Sequence, residues 1–193
     1  MNLTTRQIEI IDASKDLIGE KGLQTLTIRN LANKMSFSEP ALYRHFRDKT
    51  EIIKALLLFH KKIIQDGVLK ILDSEKTALA KFEEILKFKF THIEKNPALV
   101  MVIFSETSFQ YNSTLSKVVK KILEQRTKKI ISLIKNGQRE GSIRKDIDAV
   151  QLATIVLGGV RTTILSWKLS GFKTNLKLDG KKLRETLKIL LKN

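Results

Sequence analysis

The sequence predicts an all-α protein: an N-terminal three-helix domain over residues 1–48 and a C-terminal helical body over residues 49–193. Three observations carry this prediction. Apolar residues recur at three- and four-residue spacing along most of the chain, while the strict alternation of a half-buried strand is absent. There are only two prolines, Pro40 and Pro97, and each stands where a first helical turn tolerates a missing N–H. Capping residues and glycine stops then divide the apolar pattern into segments of helical length.

A first helix is expected from about Leu3 to Lys21, with Ile8, Ile11, Ser14, Leu17 and Ile18 on one stripe and Gly22 placed to stop it. Thr27 caps a second helix whose inner face is Ile28, Leu31 and Ala32. Ser38 caps a third, its hydroxyl within reach of the Ala41 amide. Leu42 and Phe46, four residues apart, turn inward. Asp48 or Lys49 opens a long fourth helix to about Leu72, apolar on more than one face, as expected of a rod joining headpiece to body. Asp73-Ser74 restarts the chain into a fifth helix, and Asn96-Pro97 starts a short sixth to about Phe104. A long amphipathic helix follows over about Ser113–Arg139, with a face of Lys117, Lys120, Lys121, Arg126, Lys128, Lys129 and Lys135. Asp146 or Asp148 begins a helix to about Leu169 whose centre is apolar nearly all round, and a last helix covers about Gly180 to Leu191. Surplus apolar surface on the later helices suggests a dimeric four-helix interface, with Val119, Ile122, Ile130, Val156, Gly159 and Val160 as candidates. Gly158 and Gly159, each costing about 1 kcal/mol against alanine in mid-helix, suggest close helix–helix approach.

Composition narrows the function classes. With 42% hydrophobic and 29% charged residues, the chain can bury a sizeable core, which argues against global disorder. Without cysteine there is no disulfide, zinc-thiolate or cysteine nucleophile. The N-terminus lacks a signal-peptide layout, and the longest apolar run, Leu152 to Val160, is too short to span a bilayer. A soluble, cytoplasmic protein without a membrane partner is expected. Net charge is +16, yet residues 1–50 carry 8 basic and 6 acidic side chains. Any polyanion binding by the headpiece must therefore come from placement, not from bulk charge. No metalloprotease motif, nucleophile elbow or phosphate-binding glycine loop is present, and Glu83-Glu84 point apart on a helix. Catalysis is not expected, and neither a cofactor nor a metal is implied; His60 and His92 lack ligand-spaced partners.

The stretch Thr27 to Lys49, a short helix, a turn and a second short helix ending in tyrosine, arginine, histidine and lysine, has what a helix-turn-helix needs to bind double-stranded DNA. Glu39, Pro40, Ala41 and Arg44 face away from Leu42 and Phe46 and are the base-reading candidates, Arg44 through its bidentate fork toward guanine. Tyr43, His45 and Lys49, with Thr27 and Arg29 from the second helix, are the phosphate-binding candidates. The segment SEPALYRHFRDKTEI, with Ile11, Ala13, Gly22, Thr27, Ile28, Leu31 and Ala32 before it, resembles the tetracycline-repressor (TetR) family of bacterial regulators. The resemblance covers roughly Thr5 to Leu56. It implies an all-α homodimer with an N-terminal helix-turn-helix and a C-terminal ligand-binding and dimerisation domain, released from its operator by a small-molecule effector. It also implies phosphate contacts at Thr27, Tyr43, His45 and Lys49, and a base-facing surface at Glu39, Pro40, Ala41 and Arg44.

Ser36 stands where the family usually has a turn glycine, beside Phe37 where a smaller apolar residue is common. The turn is therefore expected to be either strained or differently shaped. In the body, Trp167 and the phenylalanines are most simply core. Among them Phe82, Phe88, Phe104, Phe109 and Trp167, with His92, are the candidates for lining an apolar effector cavity, suited to an apolar or acyl-type molecule. The rival reading is a DNA-bound scaffold that recruits a protein partner through the basic face of residues 117–135, without small-molecule release.

Overall fold

A computed structural model describes residues 3–104 and 112–192. Among them it has nine α-helices and no strand: α1 (Thr5–Lys21), α2 (Ile28–Met35), α3 (Glu39–Tyr43), α4 (Lys49–Leu72), α5 (Ala78–Glu94), α6 (Pro97–Ile103), α7 (Ser113–Glu140), α8 (Ala149–Leu169) and α9 (Leu176–Leu191). A 3₁₀ turn, Leu23–Thr25, links α1 to α2. Two compact units form, one from Met1–Ile63 with Asn96–Lys120, the other from Ile64–Lys95 with Lys121–Asn193. Helices α4 and α7 each contribute residues to both.

Side-chain oxygens start most of these helices, because first-turn amides have no partner inside the helix. Thr4 and Gln7 form a reciprocal capping box, so α1 begins at Thr5 rather than Leu3. Asp48 Oδ1 accepts from the Glu51 amide at 2.8 Å at the head of α4. That bond, more than the adjacent Arg47, holds the Asp48 carboxyl below its ordinary range. Asn112 accepts from the Leu115 amide at 3.1 Å and donates to the Thr50 hydroxyl at 3.0 Å, joining the head of α7 to α4. Helix α5 starts at Ala78 under a Thr77 cap, not at Asp73-Ser74. Asn96 precedes α6 as expected but makes no side-chain cap bond. Asp148 caps α8.

In the first unit α1 packs on α2 and α6, and α2 on α3. Ile10, Ile11 and Ile18 of α1, with Leu31, Leu42, Phe46, Ile52 and Leu56, form its core. Ile10 is an addition to the expected stripe, and Ser14 is buried by donating to the Ile10 carbonyl at 2.7 Å. In the second unit α9 lies against α5 and α8, and Phe82, Ile85, Leu86, Phe90, Ile134, Leu152, Val156 and Leu187 are buried. By length and composition α8 alone among the described residues would suffice to cross a bilayer, a length the sequence reading, taken from the uninterrupted run, did not assign. Seven of its residues, including Leu152, Val156, Ile164 and Trp167, are nevertheless buried inside the folded chain.

Gly180 does not start the last helix. The helix begins a turn earlier, at Leu176 under an Asn175 cap, and Gly180 sits inside it because the Phe90 ring fills the space of a side chain. A Cβ there would lie 2.6 Å from Phe90 Cγ. Phe90 is buried, and the atom nearest the added carbon is at the root of the ring, where it moves least. Helix propensity alone would make Gly180→Ala stabilising by about 1 kcal/mol. Overpacking of about 1–3 kcal/mol opposes it. We expect the clash to win: Gly180→Ala should lower the denaturation midpoint in urea, and a raised midpoint would show that the ring yields freely.

Candidate nucleic-acid interface

The turn between α2 and α3 is built by the backbone. Ser36 adopts the left-handed conformation, φ 55° and ψ 39°. The Phe37 amide donates to the Ala32 carbonyl at 2.9 Å, and the Ser36 amide to the Asn33 carbonyl at 3.2 Å. This pair of bonds is the Schellman arrangement that closes a helix end, normally with glycine in the left-handed position. The turn thus keeps its shape with serine in place of glycine and carries strain of about 1–2 kcal/mol at that residue. Phe37 is half-buried, with the Arg6 guanidinium 5.2 Å from the centre of its ring, so α1 braces the turn from one side.

Helix α3 then starts at Ser38, whose hydroxyl accepts from the Ala41 amide at 3.3 Å, with Pro40 in the first turn. Leu42 and Phe46 are buried and fix the roll of the helix. The opposite side consequently faces solvent: Glu39, Pro40, Tyr43 and Arg44 are exposed and Ala41 is half-buried. Tyr43 is 51% exposed, a large apolar ring held in water beside Arg44. Arg44 lies just past the last helical residue, in the turn that closes α3.

The phosphate-binding candidates divide into two groups. Thr27 and Arg29 are exposed at the head of α2. The Thr27 hydroxyl accepts from the Asn30 amide at 3.0 Å, which leaves its own proton for an outside acceptor. His45 and Lys49 are half-buried and tied inward. The His45 carbonyl accepts from the Gln7 side chain at 3.1 Å, and Lys49 Nζ donates to the Leu23 carbonyl at 3.4 Å. Burial pushes the Lys49 ammonium below its ordinary value. Two side chains passed over in the sequence belong with this group. Arg47, 85% exposed and paired with Asp48 at 3.2 Å, is a second cation between α3 and α4, three residues beyond Arg44. Gln7 anchors the end of the motif to α1. The signal for Arg47 was its place three residues after Arg44; for Gln7 there was none, because the contact spans 38 residues.

The body candidates scatter. Phe82 and Trp167 are buried, Phe88 and His92 are half-buried with ring centres 6.3 Å apart, and all four belong to the second unit. Phe104 belongs to the first unit, and Phe109 lies outside the described residues. Trp167 meets Phe172 edge-to-face at 4.7 Å. Of the residues expected at a dimer interface, Val119, Ile130, Val156 and Val160 are buried within their own chain. Gly159 faces Leu183 of α9, and Ile122 is half-buried. Close helix approach therefore accounts for Gly159, while Gly158 opens outward with no atom within 4 Å of an added Cβ. Five large apolar side chains do remain exposed on α8 and α9: Val150, Ile155, Leu169, Leu178 and Ile189. Arg126, expected on the basic outer face of α7, is instead half-buried with its Nε shielded from water. A groove of about 830 Å³ lies along the outer side of α7 and carries Lys128, Lys135, Arg139 and Lys145. Glu83 and Glu84 point to different partners, Lys188 and Lys76. Among the described residues no group of His, Asp or Glu is placed to hold a metal ion.

A capped recognition helix presenting tyrosine and arginine, followed by a helical body, defines a DNA-binding transcriptional regulator of the helix-turn-helix class. The family model for bacterial regulatory proteins of the tetR family matches residues 10–56, and a tetracyclin repressor-like C-terminal domain model matches residues 79–166. The chain belongs to the TetR family. It is 27% identical over 169 residues to the nucleoid occlusion factor SlmA of Aliivibrio fischeri (strain MJ11), covering 87% of this chain and 86% of that one. Its fold is similar to that of the fatty acid degradation regulator FadR of Bacillus halodurans, with a TM-score of 0.84 at 16% identity over 97% of both chains. It is also similar to FadR of Bacillus subtilis in complex with stearoyl-CoA, with a TM-score of 0.76 at 19% identity over 93% of this chain and 96% of that one.

The left-handed Ser36 gives a direct test of the turn. A β-branched residue tolerates this conformation poorly. Ser36→Val should lower the unfolding free energy by about 1–2 kcal/mol, whereas Ser36→Gly should stay within about 1 kcal/mol of the parent. Equal stabilities of the valine and glycine variants in chemical denaturation would show that the turn is not held in this conformation.

Proposed function

We propose that this regulator is a cytoplasmic homodimeric repressor that binds a two-fold symmetric operator and leaves it when an apolar or acyl-type effector enters its helical body. The observation that carries the reading is the rigid presentation of Tyr43 and Arg44 by a helix capped at Ser38 and pinned by Leu42 and Phe46. Arg44, with Glu39, Pro40 and Ala41, reads base edges in the major groove. Thr27, Arg29, Tyr43, His45, Lys49 and Arg47 hold phosphates on either side. Lys49 exchanges the Leu23 carbonyl for a phosphate oxygen, a charge-assisted bond that favours its protonated form. Since the first 50 residues carry little net charge, specific binding depends on two copies engaging half-sites about 34–36 Å apart or a multiple of this.

The exposed apolar residues of α8 and α9 support the dimer. Ile155, Gly158, Thr162 and Leu169 share one side of α8, and Leu178 and Ile189 extend the apolar surface onto neighbouring α9. Two helices from each copy would make a four-helix interface. The effector reading draws support from the phenylalanine-rich α5 and from the stearoyl-CoA held by a protein of the same fold. Catalysis forms no part of this reading.

The similarity to SlmA favours a second reading, in which the protein stays on DNA and acts through a protein partner docked on the basic face of α7. Binding at many scattered chromosomal sites, with no small-molecule release, would select that reading over the repressor.

A mobility-shift assay with the chain's own upstream region tests the proposal, and absence of sequence-selective, salt-sensitive binding would sink it. Tyr43→Phe or Lys49→Ala should weaken binding to all sequences alike, whereas Arg44→Ala should change the preferred base at one position per half-site, by about 1–3 kcal/mol of discrimination. An Arg44→Ala variant with lower affinity and unchanged preference would reassign that side chain to a phosphate. For the interface, Ile155→Glu should give a monomer in sedimentation and lose operator binding. Val156→Ala, one residue further round the helix, should cost about 2 kcal/mol of stability and leave the dimer intact.

A further inference from the structure

Thr4 and Gln7 open α1 as a reciprocal pair. The Thr4 hydroxyl accepts from the Gln7 amide at 3.2 Å, and Gln7 Oε1 accepts from the Thr4 amide at 3.0 Å. Glutamate would serve this cap as well as glutamine, and its charge would favour the positive end of the helix. The head of α4 uses glutamate in the matching place. There Asp48 Oδ1 accepts from the Glu51 amide at 2.8 Å, and Glu51 Oε2 accepts from the Arg47 amide at 2.6 Å. A carboxylate only accepts, whereas a side-chain amide also carries two N–H donors. Gln7 uses one of them: its Nε2 donates to the His45 carbonyl at 3.1 Å, 38 residues along the chain. Capping α1 does not account for that bond.

His45 lies just past α3, where main-chain carbonyls have no donor within the helix. Three consecutive residues there are held from three directions. The His45 carbonyl is tied to α1 by Gln7, Phe46 is buried, and the Arg47 amide is tied to α4 by Glu51. The exposed cations Arg44 and Arg47 leave the chain at the two edges of this segment. The direction each side chain takes from the backbone is therefore set by these ties.

We propose that Gln7 is a positioning residue for DNA recognition: by donating to the His45 carbonyl it fixes the direction of Arg44 and Arg47, separately from its cap on α1. This rests on the reading of Arg44 as the base reader. A loosely held guanidinium still finds a phosphate on any duplex, but bidentate approach to one base needs a fixed geometry. Gln7 thus contributes selectivity rather than overall affinity, and it acts through the backbone of the turn.

The test uses the full chain and two duplexes of equal length and composition. One is the sequence that the parent enriches most strongly from a random library, the other a scrambled version of it. The ratio of the two affinities is measured alongside the urea denaturation midpoint. Gln7→Glu keeps the acceptor and loses the donor. It should hold a midpoint near the parent's and lower the ratio about tenfold or more, since a symmetric operator counts the loss at both half-sites. Thr4→Ala removes the hydroxyl cap and leaves the donor, so it should lower the midpoint and keep the ratio. Gln7→Met should lower both. A parent-like ratio in Gln7→Glu and Gln7→Met would overturn the positioning role and leave Arg44 as the base reader. Loss of the ratio in Thr4→Ala would also overturn it, by tracing selectivity to the stability of α1. A parent that enriches no duplex would overturn the base-reading assignment as well.

Discussion

Helix α3 is held from outside itself, and every feature of the DNA-facing surface follows from that. Five residues cannot form an isolated helix, because nucleation fixes several residues for each hydrogen bond gained. Its existence depends on burying Leu42 and Phe46 in the core of the first unit and on the Ser38 hydroxyl replacing a missing helical acceptor. Once those two side chains point inward, the roll of the helix leaves Glu39, Pro40, Tyr43 and Arg44 no orientation but outward. Recognition here is the far side of a packing constraint.

The turn before α3 shows how much local discomfort that packing can absorb. Glycine would close α2 without penalty, yet serine occupies the left-handed position and the two closing backbone bonds are still made. Strain of this size is tolerable because Phe37 on one side and Ser38 on the other are anchored independently, the first beneath Arg6 and the second as a cap. Gln7 and Lys49 repeat the pattern at the other end of the motif, each reaching a backbone carbonyl brought close only by folding.

In the second unit the governing constraint is charge rather than length. The chain carries most of its +16 beyond the headpiece, and most of those lysines do what surface lysines do. Lys89 and Arg126 depart from this. Both are half-buried in a unit otherwise well filled by phenylalanine, leucine and isoleucine, and withdrawal from water lowers the Lys89 pKa to about 8.

Local chemistry determined which segments are helical and how several of them begin. Thr27, Ser38 and Asp148 cap their helices through bonds to amides two or three residues away, so the reading from sequence and the fold agree there. The same locality made the helix-turn-helix legible, since its buried pair and its exposed row lie within one short stretch. What tertiary structure alone decided was which residues are withdrawn from water when more than one face is apolar or basic. Val156 and Val160 carried the same signal as Ile155, but packing within the second unit took the former pair inside. Arg126 matched its lysine neighbours by spacing and was turned inward. Gly180 looked like a helix start and became a seat for the Phe90 ring, a contact between residues 90 positions apart. Periodicity reports that a face is buried; only the packed neighbours determine which face, and against what.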